Sequence, residues 1–474
     1  MIKNFAAPLR KILRKDDGVD GDAQRISQIV WLLFLKILDG LEIEKELMDK
    51  NYNSVLNKKY RWRTWAQPED GLTGDDLLDF LNENLFPYLK TLNGRDDLSK
   101  IIKEIFGDAI NFMKSGVLLR QVINLLNTID FQKSDDRDTL GDFYEQMLKE
   151  LQSAGKAGEF YTPRAVTKFM TEIIDPKVSD NIIDPACGTG GFITCYIQHL
   201  REKKINSVSE EETMHNNFVG IDKKNLPFTL CVTNLLLNKI PIPAQIIKQN
   251  LLKKPYIEYS SKDEVDIVLS NPPFGGQEED GIELNFPKEF QTKETADLFL
   301  FVTMRILKKD KSKCAIILPD NFLFTTEGVK RRLKEKLLKE FNLHTIVKLH
   351  QSTFKPYAEV KTNILFFDKS SSTKDIWYFE HPLPEGQKSY SKTKTIRYEE
   401  FNLEKEWWNK RNKNNFCWKV NINEIIKNNY DMDFKNPALL KIKKEEDHKK
   451  IIENIEKDVN LIKNSIETIK KRFI

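Results

Sequence analysis

Apolar residues recur at helical spacing along the first part of the chain, which predicts a set of amphipathic helices. The clearest stripe follows Asp22, a residue that can cap a helix, and comprises Ile26, Ile29, Val30, Leu33 and Ile37. Similar stripes predict helices near residues 75–84, 98–106 and 115–127. Residues 1–137 are therefore predicted to form an N-terminal helical domain.

The pattern changes after a long stripe at residues 140–151, because short β-branched runs then alternate with helical stretches. The predicted strands lie at residues 181–184, 218–222, 245–249, 266–270, 314–318, 345–349 and 362–367. Predicted helices, such as those at 227–238 and 296–307, lie between most of the earlier strands. Alternation of this kind predicts an α/β domain over residues 138–370, with a largely parallel sheet covered by helices on both faces.

The rest of the chain divides into two parts. Residues 371–438 are rich in lysine and aromatic residues, show little periodicity, and are interpreted as a C-terminal extension. Residues 439–474 predict a helix with apolar residues alternately three and four positions apart, namely Ile452, Ile455, Val459, Ile462, Ile466, Ile469 and Phe473. Charged residues flank this 22-residue seam, as at a coiled-coil edge. The helix is therefore expected to dock on a partner, with packing on the chain's own body as the alternative.

Composition limits the class of protein, but it does not indicate which ligand the chain binds. The 474 residues carry 75 basic and 71 acidic side chains, so a net charge of +4 does not by itself indicate a nucleic-acid binder. Either basic residues cluster locally or a partner supplies much of any phosphate contact. Five cysteines without CxxC spacing argue against a zinc site or a disulfide framework. The apolar run at residues 26–35 is too short to span a bilayer, and a cytoplasmic location is expected.

Three features follow successive predicted strands. Three glycines, at 188, 190 and 191, come after Asp184. The acidic Asp222 ends the next strand, and the segment NPPF at 271–274 follows the strand at 266–270. A glycine turn lets a ligand approach the main chain, and Asp222 can accept both ribose hydroxyls of a nucleoside. A turn, a helix cap and a strand terminator would explain each feature alone. Their conjunction at the carboxyl ends of strands predicts one nucleoside site.

The glycine spacing matches neither the P-loop pattern GxxxxGK[ST] nor the dinucleotide fingerprint GxGxxG. The segments DPACGTGGF at 184–192 and NPPF at 271–274 together closely resemble the amino-methylating, S-adenosylmethionine-dependent DNA methyltransferases. Within that group, GEFYTPR at 158–164 resembles the modification subunit of type I restriction–modification systems. The resemblance covers roughly the whole chain. It implies an α/β, Rossmann-like S-adenosylmethionine-dependent methyltransferase domain, preceded by a helical domain and followed by a coiled-coil-like helix.

The resemblance also implies two neighbouring binding sites. The residues implied for S-adenosylmethionine are Glu159, Phe160, Tyr161, Thr162, Pro163, Arg164, Asp184, Ala186, Gly188, Thr189, Gly190, Gly191, Asp222 and Asn250. Those implied at the target base are Asn271, Pro272, Pro273 and Phe274. Residues 159–164 would close over the donor. Many relatives carry an acidic residue after the third strand to bind the donor's adenine amine, whereas this chain has Gln249 and Asn250, of which Asn250 can serve.

The NPPF segment suits methyl transfer to an exocyclic amine, which is a poor nucleophile because its lone pair is delocalised into the ring. The side-chain oxygen of Asn271 and the carbonyl of Pro272 can accept the two N–H bonds of that amine, which points its lone pair at the methyl donor. The prolines fix the backbone at these acceptors, and Phe274 can stack on a base pulled out of the duplex. Positioning then provides most of the catalysis, and no metal is expected.

The implied activity is that of an adenine-N6 DNA methyltransferase acting on double-stranded DNA. The implied partners are a specificity subunit that selects the target, a restriction subunit, and a second copy of this chain. One alternative is a protein glutamine-N5 methyltransferase, which shares the Asn-Pro-Pro platform but usually has tyrosine in place of Phe274. A noncatalytic scaffold with the same fold is another, and a nuclease is suggested only loosely by Asp320, Glu359 and Lys361.

Overall fold

The computed structural model describes residues 6–94, 96–129, 134–151, 161–203, 205–240, 242–355 and 358–473. Its N-terminal part is helical, as predicted. The helices are α1 (Ala6–Leu13), α2 (Asp22–Met48), α3 (Trp62–Trp65), α4 (Gly74–Asp79), α5 (Phe86–Lys90), α6 (Asp97–Gly107) and α7 (Gly116–Asn127). A π-helical stretch, Phe80–Leu85, joins α4 to α5, and α8 (Ser134–Leu151) leads into the next domain.

Helix α2 forms the centre of the N-terminal domain because its apolar stripe is buried. The Trp31 ring, for example, meets the Phe86 ring edge-on at 5.0 Å. The prediction that Asp22 caps this helix is wrong. Gly21 occupies the N-cap position in an extended conformation, and the Asp22 carboxylate, one residue inside the helix, accepts a hydrogen bond from Arg25 at 2.9 Å.

A mixed sheet forms the second domain. Within the described residues its strands are β1 (Ile182–Asp184), β2 (Phe218–Asp222), β3 (Ile246–Lys248), β4 (Ile267–Ser270), β5 (Lys313–Pro319), β6 (Asn342–Lys348), β7 (Thr362–Asp368), β8 (Asp375–Glu380) and β9 (Cys417–Asn421). The order across the sheet is β3-β2-β1-β4-β5-β7-β6-β8-β9. The first five strands in this order pair in parallel, β7 is antiparallel to both neighbours, β6 and β8 are parallel, and β9 is antiparallel to β8. The α/β fold class is thereby confirmed.

The strand order creates a crevice between β1 and β4. The chain winds outward from β1 to β3 and then crosses back to place β4 on the other side of β1. In open α/β sheets ligands bind at such a switch point, outside the carboxyl ends of the strands. The three sequence features at the ends of β1, β2 and β4 therefore meet at this edge.

Strands β8 and β9 were not predicted, and they extend the sheet beyond residue 370. They lie in the segment 371–438, whose many lysines hide a strand pattern. Ile376 and Tyr378 of β8 are nevertheless fully buried, and β8 pairs with β6 from Thr345↔Trp377 to Lys348↔Glu380. The sheet thus continues past the predicted boundary at 370, while the division of the chain into domains stays a prediction.

Helices cover both faces of the sheet. They are α9 (Arg164–Ile174), α10 (Gly191–Lys203), α11 (Val208–Asn216), α12 (Asn225–Leu237), α13 (Thr295–Ile306), α14 (Asp320–Phe324), α15 (Gly328–Glu340), α16 (Asn402–Asn409) and α17 (Ile422–Lys427). Successive residues of the central strands enter different cores. Leu269 belongs to the core that contains residues of α2, α10 and α12, whereas Val268 belongs to the core that contains residues of α13 and α15. This alternation buries the central strands on both sides, as a sheet between two helical layers requires.

The chain ends in α18 (Pro437–Phe473), which confirms the predicted C-terminal helix. The seam residues from Ile452 to Ile469 are between 43% and 59% exposed. Every residue from 451 to 471 is exposed, so this part of the helix does not pack on the chain's own body. The alternative that the helix docks on the chain's own body is therefore wrong for residues 451–471.

Candidate active site

A cavity of about 240 Å³ opens at the carboxyl ends of β1–β4, and we call it the strand-end cavity. The predicted site residues that line it are Thr162, Asp184, Ala186, Gly188, Thr189, Gly191, Asp222, Asn250, Asn271 and Pro273. The predicted residues Tyr161, Pro163, Arg164, Gly190, Pro272 and Phe274 are not among its lining. Glu159 and Phe160 lie outside the described residues. The predicted donor and target residues thus largely share one concave site.

The glycine turn between β1 and α10 has backbone φ angles that a residue with a side chain would adopt only with strain. Gly188 and Gly190 have φ angles of 52° and 79°, in the left-handed region. A Cβ atom on Gly190 would lie 2.7 Å from the Cys231 sulfur, and one on Gly191 would lie 2.9 Å from an Arg164 nitrogen. The bare turn therefore lets α10 pack closely on its neighbours while its backbone borders the strand-end cavity.

Two carboxyl groups line this cavity, of which Asp184 is buried and Asp222 is partly buried. Asp222 accepts hydrogen bonds from the backbone N–H groups of Gly188 at 3.2 Å and Lys224 at 2.9 Å. Burial raises the pKa of Asp222 to about 6, although these two hydrogen bonds act in the opposite direction. Burial also raises the pKa of Asp184 to about 8, opposed by the N–H of Ala186 and reinforced by the nearby charge of Asp222. A cationic or hydroxyl-bearing ligand would suit this pair of carboxyl groups.

Asn271, just after β4, holds a fixed orientation with one unused acceptor. Its amide nitrogen donates to the Thr162 hydroxyl at 2.9 Å. Its side-chain oxygen is buried and has no hydrogen-bond partner within the described protein. A buried acceptor without a partner is costly, so this atom is a candidate for contact with a ligand N–H.

Phe274 lies further along the same segment and is half-buried. Its ring meets the Phe354 ring edge-on at a centroid distance of 5.3 Å. Phe354 belongs to the connection between β6 and β7. The NPPF segment is therefore braced from the side that lies away from β1.

Arg164 has a role that the sequence did not reveal. Its guanidinium forms an ion pair with Glu145 of α8, at 2.6 Å, and donates to the Thr194 hydroxyl of α10 at 3.0 Å. Burial alone would lower the pKa of Arg164, but the Glu145 carboxylate holds it above its ordinary value. Arg164 thus ties three helices together, and of the described residues 161–164 only Thr162 lines the strand-end cavity.

Glu278 is a cavity residue that sequence reasoning missed. It lies in the loop between β4 and α13, is buried, and accepts hydrogen bonds from Lys223 at 3.1 Å, Asn250 at 3.0 Å and Thr295 at 3.2 Å. The Asn250 oxygen meanwhile accepts from the Leu252 N–H at 3.0 Å. No motif marks Glu278, since only the fold brings this loop over the ends of β2 and β3.

The part of the chain that the structure describes contains no group of three or more His, Cys, Asp or Glu residues suited to a metal ion. The five cysteines are buried free thiols. Among the described helices, none combines the length and apolarity that a bilayer crossing requires.

Comparison with known proteins identifies the two parts of the chain separately. Residues 135–447 match the family model of N-6 DNA Methylase, and residues 2–126 match that of the HsdM N-terminal domain. The first match alone spans more than half of the chain. It extends through β8 and β9, so these strands fall within the region of the catalytic-domain family.

Individual relatives match along nearly the full length. The methylase subunit of the type I restriction enzyme EcoEI from Escherichia coli is 50% identical over 446 residues, which cover 92% of this chain and 90% of that protein. A crystal structure of a modification subunit of a putative type I restriction enzyme from Vibrio vulnificus YJ016 is 40% identical, with a TM-score of 0.81, and covers 93% of this chain and 98% of the other.

A third relative is a chain of known structure, solved to explain complex assembly and conformational transition of the type I R-M system. It is 33% identical with a TM-score of 0.81, and covers 98% of this chain and 99% of the other. Together these relatives support a DNA methylase over a protein glutamine methyltransferase or a noncatalytic scaffold. The chain belongs to the N-6 DNA methylase family and, within it, to the methylase subunits of type I restriction enzymes.

Proposed function

We propose that this chain binds S-adenosylmethionine in the strand-end cavity and transfers its methyl group to N6 of an adenine in double-stranded DNA. The observation that carries this proposal is the buried, unpartnered oxygen of Asn271, held in place by Thr162 beside the cavity. An exocyclic amine supplies the N–H that this oxygen lacks. When bound, S-adenosylmethionine supplies an electrophilic methyl group carried on a sulfonium.

The residues present fit this donor. Asp222 already accepts two backbone N–H groups, and a carboxylate has about four acceptor positions, so it retains acceptors for two ribose hydroxyls. Asp184 offers a buried carboxyl group whose charged form a cationic amino group would stabilise. The N terminus of α10 at Gly191 favours an anionic carboxylate nearby. The fit thus extends to the ribose and to both charged groups of the methionine part.

Asn271 and Pro272 act on the target amine by orienting it. The Asn271 amide nitrogen donates a hydrogen bond to the Thr162 hydroxyl, so the side-chain oxygen is the group that remains to accept from the substrate. Because Pro272 and Pro273 restrict the backbone, the side-chain oxygen and the Pro272 carbonyl need little reorganisation when the base arrives. Phe274 provides an aromatic face for a base that has left the duplex. The proton of the methylated amine then leaves to solvent.

The exposed seam of α18 supports a proposal about partners. We propose that it packs against helices of a specificity subunit, in a complex that also contains a second copy of this chain and, for cleavage, a restriction subunit. β-Branched residues fill both kinds of seam position, a choice typical of bundles with more than two helices. The isolated chain is accordingly expected to be largely inactive on DNA.

A product analysis of the assembled enzyme tests the activity. The chain is co-purified with the specificity subunit from the same system, incubated with DNA and methyl-labelled S-adenosylmethionine, and the DNA is digested to nucleosides for mass spectrometry. The expected product is N6-methyladenine, and it should be absent with Asn271→Ala. Methylcytosine, or label in protein rather than DNA, would contradict the proposal.

A further inference from the structure

The segment of residues 384–397, between β8 and α16, carries an unusual charge, and we call it the basic loop. Residues 386–397 contain three lysines and one arginine but no acidic residue. The whole chain has a net charge of only +4. With Glu385 included, the basic loop carries a net charge of +3, which is close to the net charge of the entire chain.

The basic side chains of this loop face solvent. Lys388, Lys392, Lys394 and Arg397 are all exposed. Among the residues that the structure describes, Lys388, Lys392 and Lys394 form no ion pair, whereas Arg397 pairs with Glu400 at 3.3 Å. Three ammonium groups are thus available to an anionic partner.

Buried contacts nevertheless hold the loop in one position. Tyr390 is 1% exposed, its backbone N–H donates to the Ser352 hydroxyl at 2.8 Å, and its own hydroxyl donates to Glu400 at 2.7 Å. A ring nitrogen of His381 lies 3.2 Å from the same hydroxyl, and Ile396 is also buried. The exposed lysines therefore belong to a loop whose backbone is anchored by buried side chains.

The basic loop lies beside the NPPF segment. Strands β4, β5, β6 and β8 run in the same direction, so the loop after β8 lies at the same sheet edge as Asn271 after β4. Ser352, which holds Tyr390, lies two residues from Phe354, whose ring packs edge-on against Phe274. A short series of contacts thus links the basic loop to the NPPF segment.

We infer that the basic loop binds the phosphate backbone of double-stranded DNA next to the base that is methylated; this inference rests on the proposed function. Lysine ammonium groups contact phosphates without reading sequence, and the interleaved hydroxyls of Ser389, Ser391 and Thr393 can donate to phosphate oxygens. A loop of this kind positions the duplex, while target choice stays with another surface. It also resolves how a chain of small net charge can hold DNA at its active site.

The test removes the three charges in the complex with the specificity subunit. The variant Lys388→Gln/Lys392→Gln/Lys394→Gln is compared with Lys177→Gln/Lys309→Gln/Lys311→Gln, which removes three exposed lysines from the opposite edge of the sheet. DNA affinity is measured by fluorescence anisotropy over a range of salt concentrations. Each lost phosphate contact should reduce the slope of log affinity against log salt by about 0.9, and affinity at low salt should fall at least about tenfold. The opposite-edge variant should keep the wild-type slope.

Lysine acetylation mapped by mass spectrometry gives a second readout on the unmodified sequence. DNA should protect Lys388, Lys392 and Lys394, and leave Lys309 and Lys311 reactive. An unchanged slope in the loop variant, an equal loss in the opposite-edge variant, or loss of assembly with the specificity subunit would overturn the inference. A loop variant that loses DNA affinity but keeps S-adenosylmethionine affinity supports it. A wild-type complex that makes no N6-methyladenine would contradict the proposed function instead.

Discussion

The strand-end cavity and helix α18 differ in how far the chain satisfies its own side chains. In the cavity, Asp222, Asn250 and Glu278 each accept hydrogen bonds from groups of the same chain, while the Asn271 side-chain oxygen has no partner among the described residues. Along α18, the seam from Ile452 to Ile469 leaves its apolar side chains about half exposed. We therefore propose that the single chain suffices to bind the donor, whereas the seam of α18 serves the assembly of the complex.

The largest expected effect is on turnover and falls on Asn271. Asn271→Ala removes a preorganised acceptor that is used mainly when the target amine is bound, so methyl transfer should fall about a thousandfold. Donor affinity, measured by calorimetry, should change by less than about twofold. Thr162→Val, which removes the group that orients Asn271, should give an intermediate loss of turnover. A large loss of donor affinity in Asn271→Ala would assign this residue to the donor rather than to the target base.

A change in the seam should affect assembly alone. Ile455→Ser together with Ile462→Ser removes two apolar contacts worth about 1.5 kcal/mol each, so affinity for the specificity subunit should fall roughly a hundredfold. Light scattering after size-exclusion chromatography measures the complex, and deletion of residues 445–474 should give the same result more severely.

The matched control for the seam lies on the outer face of the same helix. Lys457→Ser with Asn464→Ser changes two exposed positions that are not on the seam. This variant should assemble normally, and all these variants should bind S-adenosylmethionine like wild type. Equal weakening by the control, or undiminished assembly after the deletion, would show that the seam is not the contact.

Asp222→Ala should weaken donor binding without affecting assembly. Loss of a charge-assisted pair of hydrogen bonds costs about 1.5–3 kcal/mol, or roughly ten- to a hundredfold in the dissociation constant. Calorimetry on the isolated chain measures this directly. Equal affinity in wild type and variant would remove Asp222 from the ribose site.

The pH dependence of donor binding tests Asp184. In the free protein its pKa is raised to about 8, so its carboxyl is mostly protonated near pH 6.5. A cationic donor group favours the carboxylate, so binding releases a proton and affinity rises with pH until the free-protein pKa is reached. Between pH 6.5 and 7.5 the affinity should increase by up to about tenfold. Asp184→Asn cannot lose this proton, and a slope that survives in this variant would contradict the assignment.

The smallest expected effect concerns Glu278, which holds the loop over the cavity. Glu278→Ala leaves Lys223 and Asn250 without their shared partner, so donor affinity should fall about three- to tenfold. Glu279→Ala, at an exposed neighbouring position, is the control and should bind donor normally. Similar behaviour of the two variants would mean that Glu278 does not shape the site.

The sequence predicted the cavity better than its surroundings. Asp184 and Asp222 end strands, and Asn271 follows one, whose β-branched sequences are easy to recognise. The carboxyl ends of neighbouring parallel strands must lie on the same side of the sheet. Strands β8 and β9 were missed because pairing with β6, rather than a clear alternation of their own, places them in the sheet. Glu278 could not be predicted, because only tertiary folding brings its loop against the ends of β2 and β3.

Arg164 shows that a local motif does not predict the long-range partners of its own side chains. The motif predicted it at the donor, whereas its guanidinium is held by Glu145, a residue of a different helix. Asn250 likewise was predicted as a donor contact and lines the cavity, but its amide group also bonds Glu278. Local patterns thus predicted many of the residues that line the cavity, whereas long-range ion pairs and hydrogen bonds determine which of these side chains are free to contact a ligand.

The most direct test measures donor binding and methyl transfer side by side in the isolated chain and in its complex with the specificity subunit. S-adenosylmethionine is titrated by calorimetry into each, and single-turnover transfer to DNA is followed with labelled donor. A donor site that is complete in the single chain predicts dissociation constants that agree within about twofold and methyl transfer that requires the complex. Donor binding that appears only on assembly, or full-rate adenine methylation by the isolated chain, would contradict it.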